Sequence, residues 1–246
     1  MFGIGGGTIL VPILLWLFEA QGLPHEHTMH LALGTSMAVI LFTSLASLHK
    51  HHQHGAVDWS VWRKVTPGIL LGTTLGAASA ASVSPYFLMV FFALFVYFAA
   101  AQILLDIQPH AERDLPGTTG LSLFGTLTGW LSSLVSIGGG TLVIPFLIWC
   151  NLPLRRAIGT ASAIGFPVAV GGTFGYIVIG AHITALPQLH MGFVYLPAML
   201  WVASASVFTA PLGAKMAHRV NVSSLRKGFA ILLLVLATQL LLKTIA

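Results

Sequence analysis

Three stretches of this chain, 65–105, 115–154 and 157–214, contain no Asp, Glu, Lys or Arg over 41, 40 and 58 residues. A soluble domain carries about 25% charged residues. Here they are 7%, against 56% apolar ones. Six acidic residues and eleven lysines and arginines cannot cover a water-facing surface of this size, so the main solvent is lipid. At roughly 20 residues per helical crossing, the three runs have room for about two, two, and two to three spans. They are continuously apolar, without the period-two alternation of barrel strands. The expected fold class is an all-α polytopic membrane protein.

The rest of the composition narrows the class further. The net charge of +5 comes from basic residues in short loops between apolar runs, which does not suggest a nucleic-acid partner. One cysteine, Cys150, permits no disulfide and no thiolate cluster within the chain, and no cofactor is implied. It stands near the end of a short apolar helix, as a packing residue does. The 26 glycines and 12 prolines are more telling. Most lie inside the apolar runs, which suits close helix packing and broken helices.

Breaks in hydropathy divide the chain into segments at 3–18, 30–48, 62–82, 85–105, 118–150, 154–180, 193–218 and 223–245. A histidine-rich loop, His49-Lys50-His51-His52-Gln53-His54, follows the second. An internal repeat organises them. Ile4-Gly5-Gly6-Gly7-Thr8 with Pro12 recurs as Ile137-Gly138-Gly139-Gly140-Thr141 with Pro145, at an offset of 133. Ala32-Leu33-Gly34-Thr35-Ser36 matches Ala157-Ile158-Gly159-Thr160-Ala161-Ser162. Leu75-Gly76-Ala77 matches Leu212-Gly213-Ala214, and Leu104-Leu105 matches Leu241-Leu242. The expected division is a first repeat at 1–108, a connecting loop at 109–117 and a second repeat at 118–246. Before its triplet the second repeat has an apolar limb, 118–136. The first has only Met1-Phe2-Gly3 there, so a start upstream of this Met1 is expected.

Charge sets the sidedness. If 118–150 were one plain crossing, the loops around Lys50, Arg63 and Lys64 and around Lys215, Arg219, Arg226 and Lys227 would face opposite sides, against the positive-inside bias. If it enters, breaks at the triplet and returns, those residues and Arg155 and Arg156 all become cytoplasmic, while Glu19 and Glu26 fall outside. That assignment makes the halves inverted, each a glycine-broken hairpin plus three transmembrane helices. Eight plain crossings in two parallel repeats stay open as the alternative.

A triple glycine inside an apolar segment breaks the helix and bares backbone groups, which lipid tolerates only beside protein or a watery cavity. The helix resuming at Thr8 or Thr141 points its N-terminus into the membrane, where free amides and the positive dipole end favour an anion. Glycine lets a ligand approach, and threonine can cap the helix or offer its hydroxyl. Two such termini would make a midplane site of the kind found in transporters with broken helices. The candidate substrate-binding residues are therefore Gly5, Gly6, Gly7 and Thr8 with Gly138, Gly139, Gly140 and Thr141. Thr35, Ser36, Thr160 and Ser162 would supply further hydroxyls. Packing of small residues and ordinary interhelical bonding is the plainer reading of the same residues.

No ionisable group stands at a span centre. That argues against an intramembrane hydrolase, which needs an acid–base or nucleophile–base set, so no enzyme and no catalytic residue are expected. It weakens a cation pump for the same reason. The four imidazoles of His49–His54 keep a metal or cation permease as the alternative function, although their spacing is not that of a ligand set and no metal site is expected.

The paired triplets, together with Leu33-Gly34-Thr35-Ser36 and Ile158-Gly159-Thr160-Ala161-Ser162, resemble the TauE/SafE family of sulfite exporters and related permeases. The resemblance covers essentially the whole chain and departs at the start, where the limb before Gly3 is missing. It implies a multi-pass carrier in the cell inner membrane that moves a small sulfur-containing anion, such as sulfite, a sulfonate, sulfoacetate or thiosulfate, by alternating access. The implied partners are that anion and the lipid bilayer, and a homodimer is compatible with the sequence.

Overall fold

Apolar runs without water to bond their backbone must satisfy it internally, and they do so as helices. The computed structural model describes residues 6–105, 112–183, 186–217 and 222–245. Among these are α1 (Gly7–Ala20), α2 (His25–Gln53), α3 (Trp59–Ser82), α4 (Pro85–Leu105), α5 (Thr118–Val135), α6 (Gly140–Trp149), α7 (Leu154–Gly180), α8 (Leu196–Ala217) and α9 (Val222–Ile245). A two-stranded antiparallel hairpin, β1 (His190–Met191) and β2 (Val194–Tyr195), precedes α8. The helices α2, α4 and α7, and Ser224–Lys243 within α9, are each long and apolar enough to cross a membrane. The fold is that of an all-α polytopic membrane protein.

Local sequence explains the boundaries. Asp58 caps α3, its Oδ1 accepting from the amides of Ser60 and Val61 at 3.0 and 3.1 Å. α2 and α7 each start after a Leu-Pro pair, Leu23-Pro24 and Leu152-Pro153, and proline is well suited to a helix start. The residue before each pair is left-handed, Gly22 at φ +71° and Asn151 at φ +66°. Behind them the Leu23 and Leu152 amides reach back to the Phe18 and Leu147 carbonyls, at 3.1 and 2.9 Å. The two turns are thus built alike.

The histidine-rich run is helix rather than loop. α2 continues through Gln53, and the His54 amide still bonds the Lys50 carbonyl at 3.2 Å. Hydropathy marks where lipid ends, not where hydrogen bonding ends. The helix stops at Gly55, whose φ of +62° suits glycine.

Expected segment five is two helices. α5 and α6 form a hairpin in which Phe124 and Phe146 stack at a centroid distance of 3.6 Å. The Glu112 and Arg113 amides bond the Trp149 carbonyl at 3.2 and 3.3 Å, so α6 ends at the level where the chain approaches α5. α2 and α7 pack antiparallel, with Gly172 against Met37 and Gly165 against Ser44. Glu19 at the end of α1 pairs with Lys243 at the end of α9.

The most intimate contact joins α3 to α5. A Cβ added at Gly68 would lie 1.9 Å from the Ser122 carbonyl oxygen, and one at Gly72 would lie 2.1 Å from that of Thr126. In return, a Cβ added at Gly125 or Gly129 would lie 2.4 or 2.6 Å from the Val65 or Ile69 carbonyl oxygen. Lipid supplies no hydrophobic drive between helices, so small residues that bring backbones together do that work. Gly72→Ala should therefore lower the unfolding midpoint in detergent, at a cost of about 1–3 kcal/mol from overpacking. Gly228→Ala, with open space around its Cβ, should leave the midpoint unchanged or raise it. Equal midpoints for Gly72→Ala and wild type would remove this contact from the fold's supports.

Candidate functional site

α5 ends where Ser136 turns left-handed, at φ +47° and ψ +51°, and the Ile137 amide closes the turn on the Ser132 carbonyl at 3.1 Å. Serine is an uncommon occupant of that conformation. It is held there by a hydrogen bond from its Oγ to the Leu33 carbonyl at 3.2 Å and by complete burial. The chain passes Ile137 and Gly138 and turns again at Gly139, with φ +78°, before α6 begins at Gly140.

The two helix starts have the same bonding. Gly139 O accepts from the Leu142 and Val143 amides at 3.1 and 2.9 Å, and Gly6 O accepts from Ile9 and Leu10 at 3.3 and 2.9 Å. The amides of Gly7 and Thr8, and of Gly140 and Thr141, precede the first intrahelical bond and lack helical partners. No side chain caps either helix, so the threonine hydroxyls are not spent on capping.

The start of α1 also meets the end of α5. A Cβ on Gly7 would fall 1.7 Å from the Ser136 carbonyl oxygen and 3.2 Å from Ile40 Cδ1. One on Gly138 would fall 3.8 Å from Ile40 Cγ2. The beginning of α1, the break between α5 and α6, and the middle of α2 therefore share one contact region around Ile40 and Ser136. Gly139 faces Ile164 and Val168 of α7, and the Gly138 carbonyl lies by Gly165.

Thr8, Thr141 and Ser36 are buried, and none of their hydroxyls has a hydrogen-bond partner. Ser36 lies one turn before Ile40 on the same face of α2. Ser132 and Ser133, in the last turn of α5, have partnerless buried hydroxyls too. A buried unmade hydrogen bond costs about 1–3 kcal/mol, so several hydroxyls left this way beside two helix N-termini are suited to a ligand that accepts hydrogen bonds. The walls named so far hold amide and hydroxyl donors and no carboxylate, the chemistry of an anion site.

The other expected residues divide. Thr35 Oγ1 accepts from the Tyr195 amide at 3.0 Å, and Thr160 Oγ1 accepts from the Asp58 amide at 2.9 Å. Beside them a Cβ on Gly34 or Gly159 would lie 2.3 Å from the Phe193 or Ala56 carbonyl oxygen. These two matched pairs brace α2 and α7 against the chain entering α8 and α3, and each hydroxyl keeps its own proton to donate. Ser162 is half-buried. Gly5 lies outside the described residues. Among the described residues no three metal-ligating groups gather.

Sequence reading missed Ser132, Ser133, Ser136 and Ile40, together with Tyr176, whose hydroxyl donates to the Ser133 carbonyl at 3.1 Å. The serines were visible as a polar run ahead of the second triplet. Ile40 and Tyr176 carried no such sign, because apolar and aromatic residues are ordinary in a span.

The sulfite exporter TauE/SafE family matches residues 1–240. A Haemophilus influenzae protein named "Probable membrane transporter protein" is 34% identical over 245 residues, covering 99% of this chain and 92% of its own. A Methanocaldococcus jannaschii protein named as a membrane transporter in the same terms is 27% identical, over 92% of this chain and 84% of its own. Bacillus subtilis YdhB, also so named, is 29% identical over 72% of this chain and 73% of its own. No solved structure matches the chain.

Alanine scanning of the glycines should give a defined order of stability loss. Gly7→Ala meets a backbone oxygen that cannot step aside and should cost most. Gly139→Ala has ordinary space but must hold φ +78°, at about 1–2 kcal/mol. Gly138→Ala meets neither obstacle and should melt close to wild type. Unfolding midpoints in detergent read the order, and a Gly138 variant melting below the Gly7 variant would contradict the geometry.

Proposed function

The chain belongs to the sulfite exporter TauE/SafE family of membrane transporters, and on that premise we propose that it carries a small sulfur-containing anion by alternating access. Sulfite, a sulfonate, sulfoacetate or thiosulfate is the substrate class, and the cell inner membrane is the location. The observation that carries the reading is the approach of the α1 N-terminus to the break between α5 and α6, with buried, partnerless hydroxyls on Thr8, Thr141 and Ser36. Gly6 and Gly139 accept the first helical bonds there, which leaves the amides of Gly7, Thr8, Gly140 and Thr141 without helical partners. Amides and hydroxyls bind an anion without neutralising it, so the substrate can leave as well as enter.

Alternating access needs two units that rock about the site. We assign them to the repeats at 1–108 and 118–246, in inverted orientation. Support comes from α2 and α7, which occupy matched places and run antiparallel, and from the exchanged bonds Thr35–Tyr195 and Thr160–Asp58. The Glu19–Lys243 pair supports the same sidedness, since it puts the ends of α1 and α9 together, away from Lys50 and Arg155.

The test is uptake into proteoliposomes. Replacing both Thr8 and Thr141 by Val removes two hydroxyl donors at nearly constant volume. Hydrogen bonds to a charged group contribute about 1.5–3 kcal/mol each, so uptake should fall at least tenfold, with the unfolding midpoint unchanged or raised. Wild-type uptake by a folded double variant would remove these hydroxyls from the site.

A further inference from the structure

Where α2 ends and α7 begins, a cavity of about 370 Å³ is lined by Lys50, His51, His54, Ala56, Arg155 and Ile158. Two permanent cations and two imidazoles face it, and none of its lining residues is acidic. The acid nearest in sequence, Asp58, is committed to capping α3. The pocket has a defined frame. Arg155 Nη2 donates to the His54 carbonyl at 3.3 Å, and the His54 ring bonds the Lys50 carbonyl through Nδ1 at 2.7 Å. That leaves Nε2 of His54 and most of the guanidinium's donors for another partner. Below, the close approach of Gly159 to the Ala56 carbonyl fixes the floor.

Arg155 stands where a cation is least welcome. α7 begins at Leu154, and its first intrahelical acceptor is Pro153 O, reached by the Ala157 amide at 2.9 Å. The amides of Leu154, Arg155 and Arg156 come earlier, so the positive dipole end, Arg155 and Lys50 concentrate at one pocket, with no acid in the first turn of α7. Structural bracing does not require that accumulation. At the matched place in the first half stands His30, which is buried and stacked on Phe193 at 5.1 Å, so rings fill that end.

We propose that the pocket of Lys50, His51, His54 and Arg155 binds a phosphate-type oxyanion at the membrane surface, apart from the interior site. Lys50 and Arg155 supply charge, and the imidazoles and the α7 terminus supply hydrogen bonds. Basic pockets between helices on the cytoplasmic side hold anionic lipid headgroups by this chemistry, and a free oxyanion presents the same group. The inference does not rest on the transport reading.

The experiment uses the full chain in neutral detergent. Bound lipid is counted by native mass spectrometry after exposure to equimolar phosphatidylglycerol and phosphatidylcholine. Unfolding midpoints are read against inorganic phosphate at constant ionic strength. Wild type should prefer phosphatidylglycerol, or be stabilised by phosphate, by about fivefold in affinity for each cation engaged. The Lys50→Gln/Arg155→Gln variant should lose that effect, and Lys227→Gln should keep it. Loss of lipid preference alone assigns the site to headgroups, and loss of the phosphate response alone assigns it to free oxyanions. The single variants, each expected to lose part of the effect, serve if the double one does not fold. Wild type showing neither effect, or keeping both through the double substitution, overturns the proposal.

Discussion

A helix that starts or stops inside a bilayer bares amides and carbonyls that no lipid can satisfy, and the arrangement depends on how the ends of α1, α5 and α6 are enclosed. The contact that encloses them is backbone on backbone. Gly7, opening α1, lies against the carbonyl of Ser136, which closes α5, and no side chain fits between. Ser136 in turn bonds the Leu33 carbonyl of α2, so three elements are tied at one residue held in a left-handed conformation. The helix starts keep their amides, and the hydroxyls beside them keep their donors. On the proposed function, a site made of neutral donors is what remains when charge is kept out of the spans.

Holding two breaks together needs a frame that does not rely on hydrophobic drive. The glycines of α3 and α5 provide it by bringing two backbones into contact along several turns. The bonds from Tyr195 to Thr35 and from Asp58 to Thr160 then tie each central helix to the chain entering a helix of the other half. The glycines therefore do different work in different places. Gly68, Gly72, Gly125 and Gly129 permit contact, whereas Gly139 permits a turn.

Much of the fold was legible because lipid punishes exceptions. Uncharged runs located the spans, and α4 and α7 have the bounds that hydropathy alone assigns them. The triplets marked the starts of α1 and α6 because glycine inside an apolar run has few other uses. What stayed hidden depends on distant partners. The hydroxyls of Thr35 and Thr160 meet amides 160 and 102 residues away, which no local pattern reveals. The histidine-rich run reads as a loop by polarity but carries α2 to Gln53, since the helix needs only its own carbonyls. The repeated Leu-Pro pairs at 23–24 and 152–153 are a further landmark of the repeat, and their role shows only in the turns they build. Ser136 lies one step outside the motif beside it.

Thermal unfolding of the purified protein in detergent, titrated with sulfite, thiosulfate, sulfoacetate, sulfate and chloride, tests the central claim that the two breaks form one anion site. Anything that binds the folded chain alone raises its midpoint with concentration. At least one sulfur anion should raise it well above the shift given by chloride at equal ionic strength, and Gly139→Ala should abolish the difference. Identical curves for all five anions would contradict the account.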